Sequence, residues 1–122
     1  MIDPEKFRAL LLAEKRQLEE ELAKIAVREG DTWIPKPGDL DTEPSDKNEW
    51  ADAVEEADEH ISVVAELNRR WKNVVRALKK IEEGTYGIDE IDGQPIEEER
   101  LTANPAARTR IANMDKEDTL PD

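Results

Sequence analysis

Between Trp50 and Leu78 one stripe of positions steps forward by fours and threes: Trp50, Val54, Ala57, Ile61, Val64, Asn68, Trp71, Val75 and Leu78. Side chains at that spacing share a narrow face of one helix, and such a face is buried only against a second helix. A chain with this stripe must be built around a coiled-coil seam. The spacing predicts a helix from near Asp46 to Glu83, with Gly84 as its C-terminal stop. Asn68 is the one polar residue in the stripe. Two readings of it stand: a polar seam residue that sets register, or a tolerated polar residue near a frayed end.

The partner is found upstream. Asp3-Pro4-Glu5 is a helix start, with a capping carboxylate, a proline suited to the first turn and an acid suited to the helix dipole. Phe7, Leu11, Leu18, Leu22 and Ile25 follow at mostly helical spacing, with Glu14 at the missing step. This helix should fade near Arg28. Residues 29–45 hold three prolines and two glycines without periodicity and read as a loop. Run antiparallel, the two stripes place Ile25 near Trp50, Leu22 near Ala53 or Val54, Leu18 near Ala57 and Leu11 near Val64. Glu14 falls opposite Ile61, and Phe7 opposite Asn68. The end of the second helix, Val74 to Ile81, overhangs and is left for whatever follows.

Composition narrows the function classes. The chain has 122 residues and no cysteine, so disulfides and thiolate metal sites are ruled out. No apolar run approaches the ~20 residues of a membrane span, and no leader pattern is present, so a cytoplasmic protein is expected. Acidic residues number 31 against 18 basic ones, a net charge of −13. Nucleic-acid backbones bind proteins through Lys and Arg, so direct DNA or RNA binding is not expected. A basic protein surface is the natural partner. His60 has no nucleophile or acid constellation around it and reads as surface; neither catalysis nor a cofactor is expected.

Residues 84–113, GTYGIDEIDGQPIEEERLTANPAARTRIAN, carry the most specific pattern. Gly84, Tyr86, Gly87, Gly93, Ile96, Arg100, Leu101, Ala103, Pro105 and Ala107 fall where the finger of the DksA/TraR family has them, and RALKKIEEGTYG is similar to that family's helix-to-finger junction. The chain resembles this family of bacterial RNA polymerase-binding proteins over roughly residues 46–113. The family's four zinc-ligand cysteines correspond to Asp89, Asp92, Arg110 and Asn113, with the spacing of two, seventeen and two intact. Structural zinc needs four soft or borderline ligands, and a guanidinium cannot ligate. A metal-free lobe is expected. An Asp89–Arg110 pair could stand in for the metal geometrically but not energetically, so the lobe should lean on Tyr86, Ile88, Ile91, Ile96, Leu101 and Ile111. The alternative is that the four positions drifted to surface polars. Asp89 and Asp92 alone supply too few oxygens for calcium.

The resemblance also implies a working end. The family's coiled-coil tip carries D-x-x-D-x-A, and this chain has Asp46-Lys47-Asn48-Glu49-Trp50-Ala51, with Glu49 for the second acid. Asp46, Glu49, Trp50 and Ala51 are therefore the candidate partner-binding residues. Asp46 and Glu49 also stand at the two positions of a capping box, which is a sufficient structural reason for both. Trp33 and Trp50 either cover the end of the seam or form a contact site.

The expectation is thus a mainly α chain. It comprises an antiparallel coiled-coil helical hairpin over residues 1–83, a degenerate, metal-free zinc-finger-like lobe over 84–113 and a flexible tail over 114–122. What the resemblance implies is a monomeric regulator that binds RNA polymerase through its secondary channel. A coiled-coil adaptor or stress-associated protein that has lost polymerase binding is one alternative. A Gre-like helper supplying carboxylates to the polymerase active site is another.

Overall fold

The computed structural model describes residues 2–36 and 47–121, and for residues 47–54 and 56 the backbone alone. In chain order the elements are helix α1 (Pro4–Ile25), strands β1 (Ala26–Glu29) and β2 (Thr32–Pro35), helix α2 (Lys47–Glu83), helix α3 (Glu98–Ala103) and a 3-10 helix (Ile111–Thr119). Two compact units result, Leu18–Arg70 and Met1–Gln17 with Trp71–Asp122. None of the helices among the described residues is long and apolar enough to cross a membrane.

Both helix ends that the sequence marks are built as expected. Asp3 Oδ1 accepts the Glu5 N–H at 3.1 Å, capping α1. At the end of α2, Gly84 takes φ +77°. Its N–H donates to Ile81 O at 3.3 Å and the next N–H, of Thr85, to Lys80 O at 2.8 Å. That double closure is a Schellman motif, and it requires the left-handed residue that glycine supplies.

In the unit Leu18–Arg70, the buried apolar residues are Leu18, Leu22, Ala26 and Val64. Helix α1 stops at Ile25 rather than near Arg28, and the segment expected to be loop begins as a β-hairpin. Strands β1 and β2 pair antiparallel, with Glu29 opposite Thr32 and Ala26 opposite Pro35. Gly30 has φ +60° and, among the described residues, no residue other than glycine has positive φ, so Gly30-Asp31 forms a II′-type two-residue turn. Lys36 N–H then donates to Ile25 O at 3.1 Å. Asn68 on α2 holds the hairpin: its Oδ1 accepts the Trp33 N–H at 2.9 Å and its Nδ2 donates to Thr32 Oγ1 at 3.1 Å.

Burial along α2 also departs from the strict heptad. Ile61 is 53 % exposed, whereas His60, expected at the surface, is half-buried. Downstream, Val64, Trp71, Val74, Ala77 and Ile81 are buried.

In the other unit, Phe7, Ile96, Leu101 and Ala107 form a core, with Ile2 and Tyr86 packed against it. The ring of Phe7 lies 5.7 Å from that of Tyr86 at 41°. Tyr86 donates its hydroxyl to Pro105 O at 2.7 Å, and burial pushes its phenol well above the ordinary range. Gly87 has φ +85°, a left-handed conformation that L side chains rarely adopt, and a Cβ there would crowd the Ile2 side chain at 3.0 Å from its Cδ1. Residues Val74, Ala77 and Ile81 of the overhang are buried within this unit.

Candidate functional site

The four positions that hold cysteines in the DksA/TraR pattern come together as one hydrogen-bonded cluster. The backbone sets it up. Ile88 bridges Pro95, Asp89 N–H donates to Gln94 O at 2.8 Å, and Gly93 N–H returns to Asp89 O at 3.0 Å. This closes the first loop. Glu90 N–H donates to Arg108 O at 2.9 Å and so ties the second loop to the first.

Asp89 is the hub. Its Oδ1 accepts the N–H groups of Ile91 at 2.6 Å and Asp92 at 3.0 Å. Its Oδ2 accepts the Arg110 N–H at 2.7 Å and Asn113 Nδ2 at 3.0 Å. Asn113 Nδ2 also reaches Asp92 Oδ2 at 3.0 Å, and Arg110 Nε reaches the same oxygen at 2.7 Å. Asp89 is 2 % exposed and Asn113 9 %, so these two are not surface polars, whereas Asp92 is exposed and Arg110 half-buried. Burial pushes the Asp89 carboxyl up, but the donors of Arg110, Asn113, Asp92 and Ile91 outweigh it and hold it at about 2. Gln94 N–H and the Arg110 guanidinium likewise hold Asp92 below the ordinary carboxylate range.

The expected Asp89–Arg110 side-chain pair is replaced by a different division of labour. Arg110 gives Asp89 its backbone N–H and gives Asp92 its guanidinium. The polar cluster also carries more of the lobe than expected. Ile96 and Leu101 are buried, but Ile88, Ile91 and Ile111 are 41–44 % exposed. The donor set does not fit zinc. Both oxygens of Asp89 are already engaged, Arg110 brings a cation to the centre, and Asn113 presents its NH2 rather than its oxygen. Among the described residues no group of three or more metal-ligating His, Cys, Asp or Glu side chains exists.

A second polar knot lies in the same unit. Arg108 grips Glu90 with two of its guanidinium nitrogens, Nε at 2.8 Å and Nη2 at 2.9 Å, and Lys80 Nζ adds a third bond at 2.7 Å. Burial pushes the Glu90 carboxyl up, yet these cations hold it at about 2. The C-terminal segment, expected to be a flexible tail, supplies the rest. Glu117 Oε1 accepts the N–H groups of Arg108 and of Thr109, the latter at 3.1 Å, and Oε2 accepts Arg100 Nη2 at 3.3 Å. Pro121 O accepts Arg108 Nη2 at 2.6 Å. The segment packs here because the N–H groups of buried Arg108 and Thr109 need acceptors, which Glu117 supplies. Nothing local in the sequence announces Glu117, whose partners lie eight to seventeen residues away.

Of the tip residues, Asp46 lies outside the described residues. Glu49, Trp50 and Ala51 lie in the first turns of α2, with only their backbone described. Trp33 lies on β2, half-buried.

No family model matches the chain. Among solved structures it is similar to the transcription factor DksA2 from Pseudomonas aeruginosa, with a TM-score of 0.68 at 23 % identity, over 95 % of this chain and 83 % of that one. It is also similar to the RNA polymerase binding protein and transcriptional regulator Dks from Chlamydia trachomatis L2 (LGV434), with a TM-score of 0.54 at 21 % identity, over 98 % and 93 % of the two chains. The chain has the DksA fold, a coiled-coil hairpin with a small lobe, in a form without cysteine. Among curated proteins it is 48 % identical over 59 residues to General stress protein 16O of Bacillus subtilis (strain 168), which is 47 % of this chain and 36 % of that protein. It is 31 % identical over 90 residues to the uncharacterized protein YteA of the same organism, 74 % of this chain and 36 % of YteA. The chain thus spans about a third of the length of the curated relatives it matches.

Proposed function

We propose that this chain is a divergent DksA/TraR-type regulator that binds bacterial RNA polymerase through its secondary channel and modulates initiation without catalysing a reaction. What supports this most is a DksA fold whose lobe keeps its two-loop geometry with hydrogen bonds in place of ligands. Both solved neighbours are transcription regulators by description, and one is described as an RNA polymerase binding protein. In this reading the partner-facing residues are Asp46, Glu49, Trp50 and Ala51 at the start of α2. With a net charge of −13 the chain acts on protein rather than on the DNA backbone. It works as a cytoplasmic monomer.

Co-purification with core RNA polymerase is the decisive experiment. Stoichiometric association is expected, and its absence at micromolar concentrations would sink the reading. A tip comparison then separates charge from capping. Asn is as good an N-cap as Asp, so Asp46→Asn should leave the helix intact yet abolish the effect on transcription. Full regulation in Asp46→Asn with a defect only in Asp46→Ala would make Asp46 a cap and nothing more. The 59-residue likeness to General stress protein 16O favours a second reading, a stress-associated protein that keeps the scaffold without polymerase binding. The same co-purification distinguishes the two.

A further inference from the structure

We propose that Asp92 is a site of isoaspartate formation that the folded lobe holds closed and that opening of the finger loops exposes. Asp92-Gly93 is the one Asp-Gly step in the chain. Glycine matters here because it has no side chain to hinder the approach of its nitrogen to the preceding carboxyl. Gly93 has φ +72°, so the turn itself calls for the residue that makes the step reactive.

The reaction uses groups of the chain and water. The Gly93 nitrogen attacks Cγ of the protonated Asp92 side chain and forms an N–Cγ bond. The nitrogen loses its proton, the Cγ–OH bond breaks and one water leaves, which closes a five-membered succinimide. Water then adds back at one of two carbonyls. Addition at Cγ restores Asp92, whereas addition at the backbone carbonyl gives a β-linked isoaspartate. No electrons are transferred and the mass is unchanged.

The lobe holds both reacting ends. The Gly93 N–H donates to Asp89 O at 3.0 Å. On the Asp92 carboxylate, Oδ1 accepts the Gln94 N–H at 2.9 Å, and Oδ2 accepts Arg110 Nε at 2.7 Å and Asn113 Nδ2 at 3.0 Å. The Asp92 N–H is itself tied to Asp89 Oδ1 at 3.0 Å, which fixes the backbone from which the carboxyl would have to swing. Turning the carboxyl onto the Gly93 nitrogen and releasing that nitrogen's proton breaks bonds on both sides of the step. The same donors favour the carboxylate, a poor electrophile, over the acid that reacts.

Rearrangement would not be neutral for the lobe. The β-linkage routes the backbone through Cβ and Cγ of residue 92 and leaves the carboxylate directly on Cα. It then no longer meets Arg110 and Asn113 in register, so a lobe that has reacted while open cannot restore the same bonds. This inference rests on the Asp89 cluster and not on the polymerase reading.

The test incubates the full chain in warm neutral buffer, folded and in guanidinium chloride. Isoaspartate is counted with protein isoaspartyl methyltransferase and placed in the sequence by electron-transfer fragmentation. Isoaspartate at residue 92 should form about tenfold or more slowly in the folded chain, because reaction waits on local opening. Arg110→Gln keeps the backbone N–H that serves Asp89 and removes only the guanidinium from Asp92. It should raise the folded rate about two- to fivefold, the share of one exposed ion pair. Asp92→Glu, whose ring would need one more member, should abolish the signal in denaturant. Equal rates in the folded and denatured chain, an Arg110→Gln rate no higher than the parent's, or isoaspartate that maps elsewhere would overturn the proposal. If Arg110→Gln fails to fold, its rate in buffer should match that of the denatured chain, and a slower rate would equally overturn it.

Discussion

Asn68 on α2 accepts the backbone N–H of Trp33 on β2 at 2.9 Å, across 35 residues of sequence. The one polar residue of an otherwise apolar stripe is thus neither a frayed end nor a pairing device between two helices. It ties a β-hairpin to a helix, with the second bond from its Nδ2 to Thr32 Oγ1 fixing the amide orientation.

Replacing Asn68 should loosen that hairpin. Asn68→Ala leaves the Trp33 N–H without its acceptor and should cost about 1–3 kcal/mol in urea unfolding, with faster hydrogen exchange at Val27–Ile34. Asn68→Asp keeps the acceptor and loses only the bond to Thr32, and should cost about 1 kcal/mol. A more stable Asn68→Leu variant would show that apolar burial at this position outweighs the anchor.

Removing Asp89 should be the most damaging single change in the lobe. Asp89→Ala strands four donors at once, those of Ile91, Asp92, Arg110 and Asn113. A loss of about 3 kcal/mol or more is expected, read as a fall in melting temperature. A loss below about half a kcal/mol would mean that the apolar core of Phe7, Ile96 and Leu101 carries the lobe alone.

The same carboxylates set the response to acid. Asp89 falls from 3.8 to about 2 and Glu90 from 4.5 to about 2 on folding. A depressed folded value adds stability that is complete above the unfolded value and is lost as pH drops toward the folded one. The lobe should therefore be unaffected between pH 7 and about 5 and weaken from pH 4.5 to 2. The side-chain amide signals of Asn113 report this directly. Their collapse at pH 6 would contradict the assignment.

Chelator should leave the melting temperature of the chain unchanged, and elemental analysis should find no stoichiometric zinc. The frame, however, is still spaced for a metal. The combined variant Asp89→Cys, Asp92→Cys, Arg110→Cys and Asn113→Cys should take up one tetrahedral zinc per chain. Failure to bind it would mean that the loops have relaxed away from ligand geometry.

In the hairpin, Leu18 is 5 % exposed and should cost about 2–4 kcal/mol on truncation to Ala. Ile61→Ala, at a half-exposed position, should cost under about 1 kcal/mol. Equal losses at both sites would restore the strict heptad seam.

How much of this was legible depended on whether the signal was local. The extent of α2 follows from period and from Gly84, and the start of α1 from Asp3-Pro4. The hairpin is hidden because three prolines and two glycines without periodicity mark residues 29–45 as loop. Its own signal was there in Gly30-Asp31 followed by Thr32-Trp33-Ile34, a turn pair ahead of β-favouring residues. Ligand spacing located Asp89, Asp92, Arg110 and Asn113 but not their bonds, because half of the donors to Asp89 are backbone N–H groups of neighbouring residues. Glu117 has no local pattern at all, since its role arises only once Arg108 and Thr109 are folded beside it.

The Asp89 cluster has a consequence for the conditions under which such a lobe survives. A thiolate site is lost when peroxide converts its sulfurs to sulfenic or higher acids, because the metal then leaves and the loops come apart. Carboxylates, an amide and a guanidinium offer no atom to that chemistry. With no cysteine anywhere in the chain, the lobe stays assembled in an oxidant burst that would dismantle a four-thiolate finger of the same shape.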